Sequence, residues 1–170
     1  PMHVFDADKL TGSIIVRRAQ NGETLACLNE KNVCLSENTL VIADEAGALS
    51  MAGLMGGEAS AVSDSTKNIV LEAAWLVPEI IAGKARQYGF GSDSCFRVER
   101  GVDFKLQSDA IERASELILD ICGGQAGAVI EALGDLPAHK TVAVRTTRVE
   151  KMLGVEVDEA RNEKILAAFG

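Results

Sequence analysis

"LVIADEAGALSMAGLMGGEASAV", residues 40 to 62, sets the reading of the fold. The β-branched pair Val41 and Ile42 runs into the turn cluster "DEAGA", which turns the chain into 49 to 54, so the glycine-rich stretch from 51 is expected at the end of a strand. Glycines at 53, 56 and 57 then strip the β-carbon from the segment that follows. Such bare backbone serves a tight turn or the close approach of a ligand to the main chain. A phosphate loop is excluded by spacing and charge: no Gly-Lys-[Ser/Thr] closes the motif, and Glu58 stands where an anion would approach. A neutral or cationic ligand, or hairpin geometry alone, stays open.

Outward from this segment the pattern stays β-rich toward the N-terminus. "SIIVRR" and "NVCLSE" are strand-like runs separated by the turn clusters "QNGE" and "NEKN". Downstream, "NIVLEAAWLV" (68 to 77) is apolar on both faces, as an interior strand is. "PEIIAGKARQYG" places Pro78 at a first helical position and Gly89 as a stop, which predicts one short helix. A longer helix is expected over about 104 to 122, with Leu106, Ala110, Ala114, Leu117, Ile118 and Ile121 on one face and Gly123-Gly124 ending it. "GAVIEAL" (127 to 133) reads as one more strand. After "GDLPAHK" the character changes: "TVAVRT" reads as a strand, "TRVEKMLG" as a short helix, and "DEARNEKILAAFG" as a helix starting near Asp158 and capped by Gly170. About thirty residues do not close a core of their own. The chain is therefore expected to be an α+β domain of mixed β-sheets packed with helices over 1–139, plus the truncated start of a second small α+β domain over 140–170, cut from a longer protein.

The 170 residues are 47 % hydrophobic and 4 % aromatic, with a net charge of −8. An acidic chain does not hold a polyanion through its overall field, so a nucleic-acid partner needs a local basic patch or help from elsewhere. No apolar run approaches the roughly 20 residues that span a bilayer, and no signal peptide opens the chain, so no membrane partner and a cytoplasmic location are expected. Cys27, Cys34, Cys95 and Cys122 form no Cys-x-x-Cys pair and the histidines are His3 and His139, so no metal site is expected and buried free thiols are. Cys27 and Cys34 are candidates to face each other across a hairpin.

Glu72 is the most informative position: in "IVLEAAWL" it is the one polar residue between Asn68 and Glu79, and its same-face neighbours are Val70, Ala74 and Leu76. A carboxylate there is paired, open to a cleft, or costly to bury. Either it forms an internal ion pair with Arg86, Arg97 or Arg100, or it is an acceptor aimed at a ligand donor. His3, in "PMHVFDADKL", reads from its setting as a structural group rather than a catalyst. In "GFGSDSCFRVERGVD" (89 to 103) Ser92 or Asp93 reads as a helix cap. That stretch has no Gly-x-Ser-x-Gly elbow, although Cys95 as a nucleophile defines one rival reading. Arg97, Glu99 and Arg100 read as an ion-pair network, and Lys140, Arg145, Arg148 and Lys151 as a solvated basic face.

Taken together, "PMHVFDADKL", "LVIADEAGALSMAGLMGGEASAVSDSTKNIVLEAAW" and "ARQYGFGSDSCFRVERGVD" resemble the B3/B4 region of the β chain of bacterial phenylalanyl-tRNA synthetase, over nearly all of residues 1 to 139. The tail from 140 resembles the opening of the B5 domain of that chain. The resemblance implies an editing site that hydrolyses tyrosine mischarged onto tRNA(Phe). In it Glu72 binds the tyrosine hydroxyl, His3 lies near the ester to orient water or the tRNA end, and Gly53 and Gly56 let the backbone approach the aminoacyl group. Ser92 and Ser94 match the pocket wall, where the family often has threonine and alanine; Ser92 keeps a hydroxyl, and Ser94 would narrow or rewet the pocket. A family asparagine has its place upstream of Pro1. The implied chemistry is ester hydrolysis by a positioned water, with no cofactor or metal in this fragment and either His3 or the ribose hydroxyl of the tRNA directing the water. For the whole enzyme the resemblance implies ATP and Mg, a synthetase α chain as partner in an α2β2 tetramer, and aminoacylation on that α chain. The alternative within the same family is a non-catalytic docking domain for tRNA or for the α chain.

Overall fold

Short β-branched runs broken by polar turns leave no stretch for an α-helix before Pro78. The computed structural model, which describes residues 2–138 and 141–169, forms eight strands there. They fall into three sheets, every pairing antiparallel. β1 (Met2–Asp6) pairs with β8 (Ile69–Ala73). A four-stranded sheet runs in the order β2 (Ile15–Arg18), β5 (Leu40–Ala43), β6 (Ala48–Met51) and β7 (Met55–Gly56). β3 (Thr24–Ala26) pairs with β4 (Asn32–Cys34) in a hairpin of its own. Six helices follow: α1 (Pro78–Ile81), α2 (Lys84–Tyr88), α3 (Asp93–Val98), α4 (Leu106–Cys122), α5 (Thr146–Leu153) and α6 (Glu159–Ala167). The fold is α+β.

By chain contacts the molecule divides into two compact units, Pro1–Ile130 and Glu131–Gly170. In the first unit Phe5, Val41, Met51, Ile81 and Val98 are buried, so β1, the four-stranded sheet, α1 and α3 share one core. The second unit contains α5 and α6, and none of the described residues in either helix is buried. His139, Lys140 and Gly170 lie outside the described residues, and with them the junction at 139/140, the Lys140 end of the basic face and the Gly170 cap.

Several sequence expectations change. β8 is not an interior strand: among the described residues its one strand partner is β1, and α4 lies near it. The helix expected after Pro78 is two helices, because Gly83 takes a left-handed backbone (φ 79°) and breaks the run; Pro78 at its start and Gly89 (φ 71°) at its end stand where expected. No strand forms over 127–133 or 141–146, since β-propensity yields a strand only where a partner edge supplies hydrogen bonds. Among the described residues, the second unit is therefore two helices without a sheet. α4 ends at Gly123 as expected, but its apolar face is not buried, and Ile121 is 80 % exposed. Cys34 pairs in register with Thr24 and not with Cys27, which bridges Gly57. All four thiols are free; Cys27 and Cys95 are buried, and Cys34 and Cys122 are exposed.

Candidate functional site

The register of the two-stranded sheet makes the site. His3 on β1 lies directly opposite Glu72 on β8, and residues directly opposed across an antiparallel pair share a face. Phe5 and Val70 are the next pair on that face. Phe5 is fully buried and meets the His3 imidazole edge-on, with ring centroids 4.6 Å apart, which fixes the ring.

Below the pair runs the glycine segment. At Gly56 a β-carbon would come within 2.4 Å of His3 Cε1 and 2.8 Å of Leu28 Cδ1, so only glycine leaves room for the imidazole. Gly53 has φ 68°, in the region that disfavours side chains, and a β-carbon there would stand 2.7 Å from Leu76 Cδ1. Two serines on the far side secure this turn. Ser92 caps α3, accepting from the Cys95 N–H (3.2 Å) while its hydroxyl donates to the Leu54 carbonyl at 2.7 Å. Ser94 Oγ donates to the Gly53 carbonyl at 3.1 Å. The Ser94 hydroxyl thus ties the wall to the Gly53 turn through its proton. Of the two candidate caps, Ser92 and not Asp93 does the capping, because the helix begins at Asp93 itself.

These elements enclose a cavity of about 190 Å³ that brings His3, Gly53, Gly56, Glu72, Ser92 and Ser94 together. A cavity of about 150 Å³ suffices for benzene, so this one admits a single phenol-sized ring. Its wall is mostly apolar, with Leu76 and Val98 among the lining residues. Glu72 is partly buried, and desolvation pushes its carboxyl pKa up. No ion pair or hydrogen bond joins it to another described residue. None of its three candidate partners pairs with it: no ion pair joins Arg86 to Glu72, Arg97 donates to the Asp93 carbonyl, and Arg100 pairs with Glu99 and stacks on the Phe96 ring. The expected three-residue network is thus a single pair. Burial also pulls the His3 pKa down, favouring the neutral imidazole, and His3 Nε2 is buried without a hydrogen-bond partner among the described residues. Cys95 is 1 % exposed, and burial, with Glu99 nearby, raises its thiol pKa, which removes the thiolate a nucleophile needs.

Sequence reasoning passed over one polar lining residue, Ser50. It sits in a run that reads as apolar core, and the signal for it was the one that marked Glu72: a polar side chain inside a strand whose neighbours are buried. Among the described residues no cluster of His, Cys, Asp and Glu is arranged to hold a metal, and no helix is long and apolar enough to cross a membrane.

Residues 1–123 match the B3/4 domain family. The chain belongs to it. The whole chain is 69 % identical over 170 residues to the phenylalanine-tRNA ligase beta subunit of Neisseria gonorrhoeae, 22 % of whose length it covers. It is 56 % identical over 167 residues to that of Chromobacterium violaceum, covering 98 % of this chain and 21 % of that protein. With the subunit of Dickeya dadantii it shares 46 % identity over 172 residues. The chain thus spans about a fifth of the length of the curated relatives it matches. A solved N-terminal fragment of the phenylalanyl-tRNA synthetase beta subunit from Pyrococcus horikoshii aligns with 97 % of this chain and 48 % of its own at TM-score 0.40 and 17 % identity, too distant a likeness to bear on the fold. The cavity described above lies wholly inside the part of the chain that matches the B3/4 domain.

Proposed function

We propose that this B3/4 domain is the second sieve of a phenylalanine-tRNA ligase, hydrolysing the ester of tyrosine mischarged on tRNA(Phe). The observation that carries the reading is Glu72: a carboxylate without a described ionic partner, on the wall of an apolar cavity sized for one ring. A synthetic pocket shaped for phenylalanine rejects a ring that merely adds a hydroxyl by only about a hundredfold. A second cavity that offers an acceptor to the phenol reverses the preference, because phenylalanine would leave that acceptor desolvated and unpaired.

The reaction is attack of a positioned water on the ester carbonyl. In this reading the group that directs the water is His3, whose burial favours the neutral imidazole, or the ribose hydroxyl of the tRNA end. Donors for the developing oxyanion come from the glycine segment. The amides of Leu54 and Gly57 are engaged by the Met51 and Leu49 carbonyls and are not among those donors. Ser92 and Ser94 hold the Gly53–Leu54 turn against α3 and so fix the wall. In this reading the partners are the tyrosyl acceptor end of tRNA(Phe) and a synthetase α chain in an α2β2 enzyme, whose ATP- and Mg-dependent aminoacylation lies outside this chain. The docking alternative lacks its main support, an arginine closing off Glu72.

The test is deacylation of tyrosyl- and phenylalanyl-tRNA(Phe) by the whole parent enzyme, as wild type and as Glu72→Ala. Wild type should clear the tyrosyl ester and spare the phenylalanyl one, and the variant should lose that distinction. Clearance of neither ester by wild type would leave a docking domain.

A further inference from the structure

The turn between β3 and β4 reaches the site from outside. Cys27 bridges Gly57, and the next residue, Leu28, donates its amide to the Gly56 carbonyl at 3.0 Å. The far side of the turn is tied down by Lys31, whose ammonium donates to the Gly89 carbonyl at 3.4 Å and stands 5.3 Å from the centre of the Phe90 ring. The backbone of the turn is thus anchored on both sides. The Leu28 side chain, by contrast, is 47 % exposed and is not part of the buried core.

What that side chain meets is the imidazole. One point, the place a Gly56 β-carbon would take, lies 2.8 Å from Leu28 Cδ1, 2.4 Å from His3 Cε1 and 3.0 Å from His3 Nε2. The leucine methyl and the outer end of the ring therefore share the space over the glycine. Phe5, fully buried, meets the same ring edge-on at 4.6 Å between centroids. The imidazole is held between a core aromatic and a surface leucine, with bare backbone beneath it. A working histidine is commonly aimed by a hydrogen bond that one of its nitrogens makes to a carbonyl or carboxylate. Here Nε2 is buried and has no such partner among the described residues, so the aim of the ring rests on what it packs against. Of those contacts, Leu28 is the one that the core does not need.

We propose that Leu28 is a positioning residue for His3, holding the imidazole in its place over Gly56 on the wall of the cavity. The inference rests on the editing reading above, with His3 as the group that directs the water, and adds the side chain that aims it.

The experiment is a double-mutant cycle on deacylation of tyrosyl-tRNA(Phe) by the whole enzyme, as wild type, Leu28→Ala, His3→Ala and the pair, with aminoacylation as the control for folding. Leu28→Ala should lower kcat by about ten- to a hundredfold, the scale on which a small misplacement of a reacting group acts, with KM and aminoacylation unchanged. Leu28→Met, which conserves apolar volume, should restore most of the rate. In the His3→Ala background the loss of Leu28 should cost nothing further, because no ring is left to aim. An unchanged kcat in Leu28→Ala, a loss confined to KM, or an equal loss with and without His3 would overturn the role of Leu28 while leaving the editing reading intact. Failure of the wild type to clear tyrosyl ester would overturn both. A crystal structure of the whole enzyme carrying Leu28→Ala gives a readout apart from catalysis. A His3 ring turned from its place, or an ordered water on Nε2, supports the assignment, and a ring that stays in place and dry refutes it.

Discussion

Replacing Glu72 by glutamine separates a ligand-sensing carboxylate from a structural one, because the two roles predict opposite changes in stability. Burial raises the folded pKa of Glu72 above its reference value of 4.5, so the folded state binds that proton more tightly than the unfolded chain does. The associated stability is fully present below pH 4.5 and is lost as pH rises through the folded pKa. At neutral pH the ionised side chain is therefore a net cost, about 1.4 kcal/mol for each unit by which the pKa is raised. Glu72→Gln keeps the shape and removes the charge, so the melting temperature of the assembled enzyme should hold or rise, by roughly 2–4 °C per kcal/mol for a domain of this size. A structural ion pair predicts the reverse, a loss of about 3–5 kcal/mol on breaking it. Meanwhile the charged acceptor for the phenol is gone. A hydrogen bond to a charged group contributes about 1.5–3 kcal/mol, so preference for the tyrosyl ester should drop roughly 10- to 150-fold. Calorimetry and deacylation on the same preparations check both halves. A lower melting temperature together with an equal loss on both esters would refute the assignment of Glu72 to the substrate.

Three further outcomes are expected. Gly56→Trp should abolish deacylation and leave aminoacylation untouched, since even one added carbon meets His3 at 2.4 Å; clearance at the wild-type rate would show that Gly56 does not border the reacting ester. If His3 is the base, the acidic limb of the deacylation profile should lie below pH 6.5, because burial lowers its pKa, and the stability it contributes, full above 6.5, should likewise be lost as pH falls through the folded value. A limb above 6.5 would count against it. Cys95→Ala should retain full deacylation, as the thiol is buried and its pKa raised; a large loss of kcat with normal folding would revive the covalent reading.

What the sequence made legible follows the range of the interactions involved. Helix ends were legible because they are local: Pro78, Gly89 and Gly123 act through their own backbone preferences, and each stands at the end it was expected to mark. Strands at 127–133 and 141–146 were not, because a strand is completed by a partner that may be far away in sequence, and neither run meets one. β8 formed where a strand was expected, but its apolar pattern did not reveal that it would pair with β1 alone among the described strands, because pairing too depends on segments distant in sequence.

The site obeys the same logic with one addition. Its six expected residues came chiefly from family resemblance, but Glu72 had also been marked by physics alone, as a polar group inside an apolar strand, where desolvation demands a reason for its presence. Applied without favour, that test selects Ser50 as well: in "ALSM" a hydroxyl stands among residues that the fold buries. It was passed over because serine costs less to bury than a carboxylate, so its presence demands less explanation. The register shows otherwise, since it sets Ser50 directly across from Gly56, and both line the cavity with His3 and Glu72. A glycine across from a buried polar residue is informative in turn, because the side chain missing there makes room for a group from another strand, here the His3 imidazole.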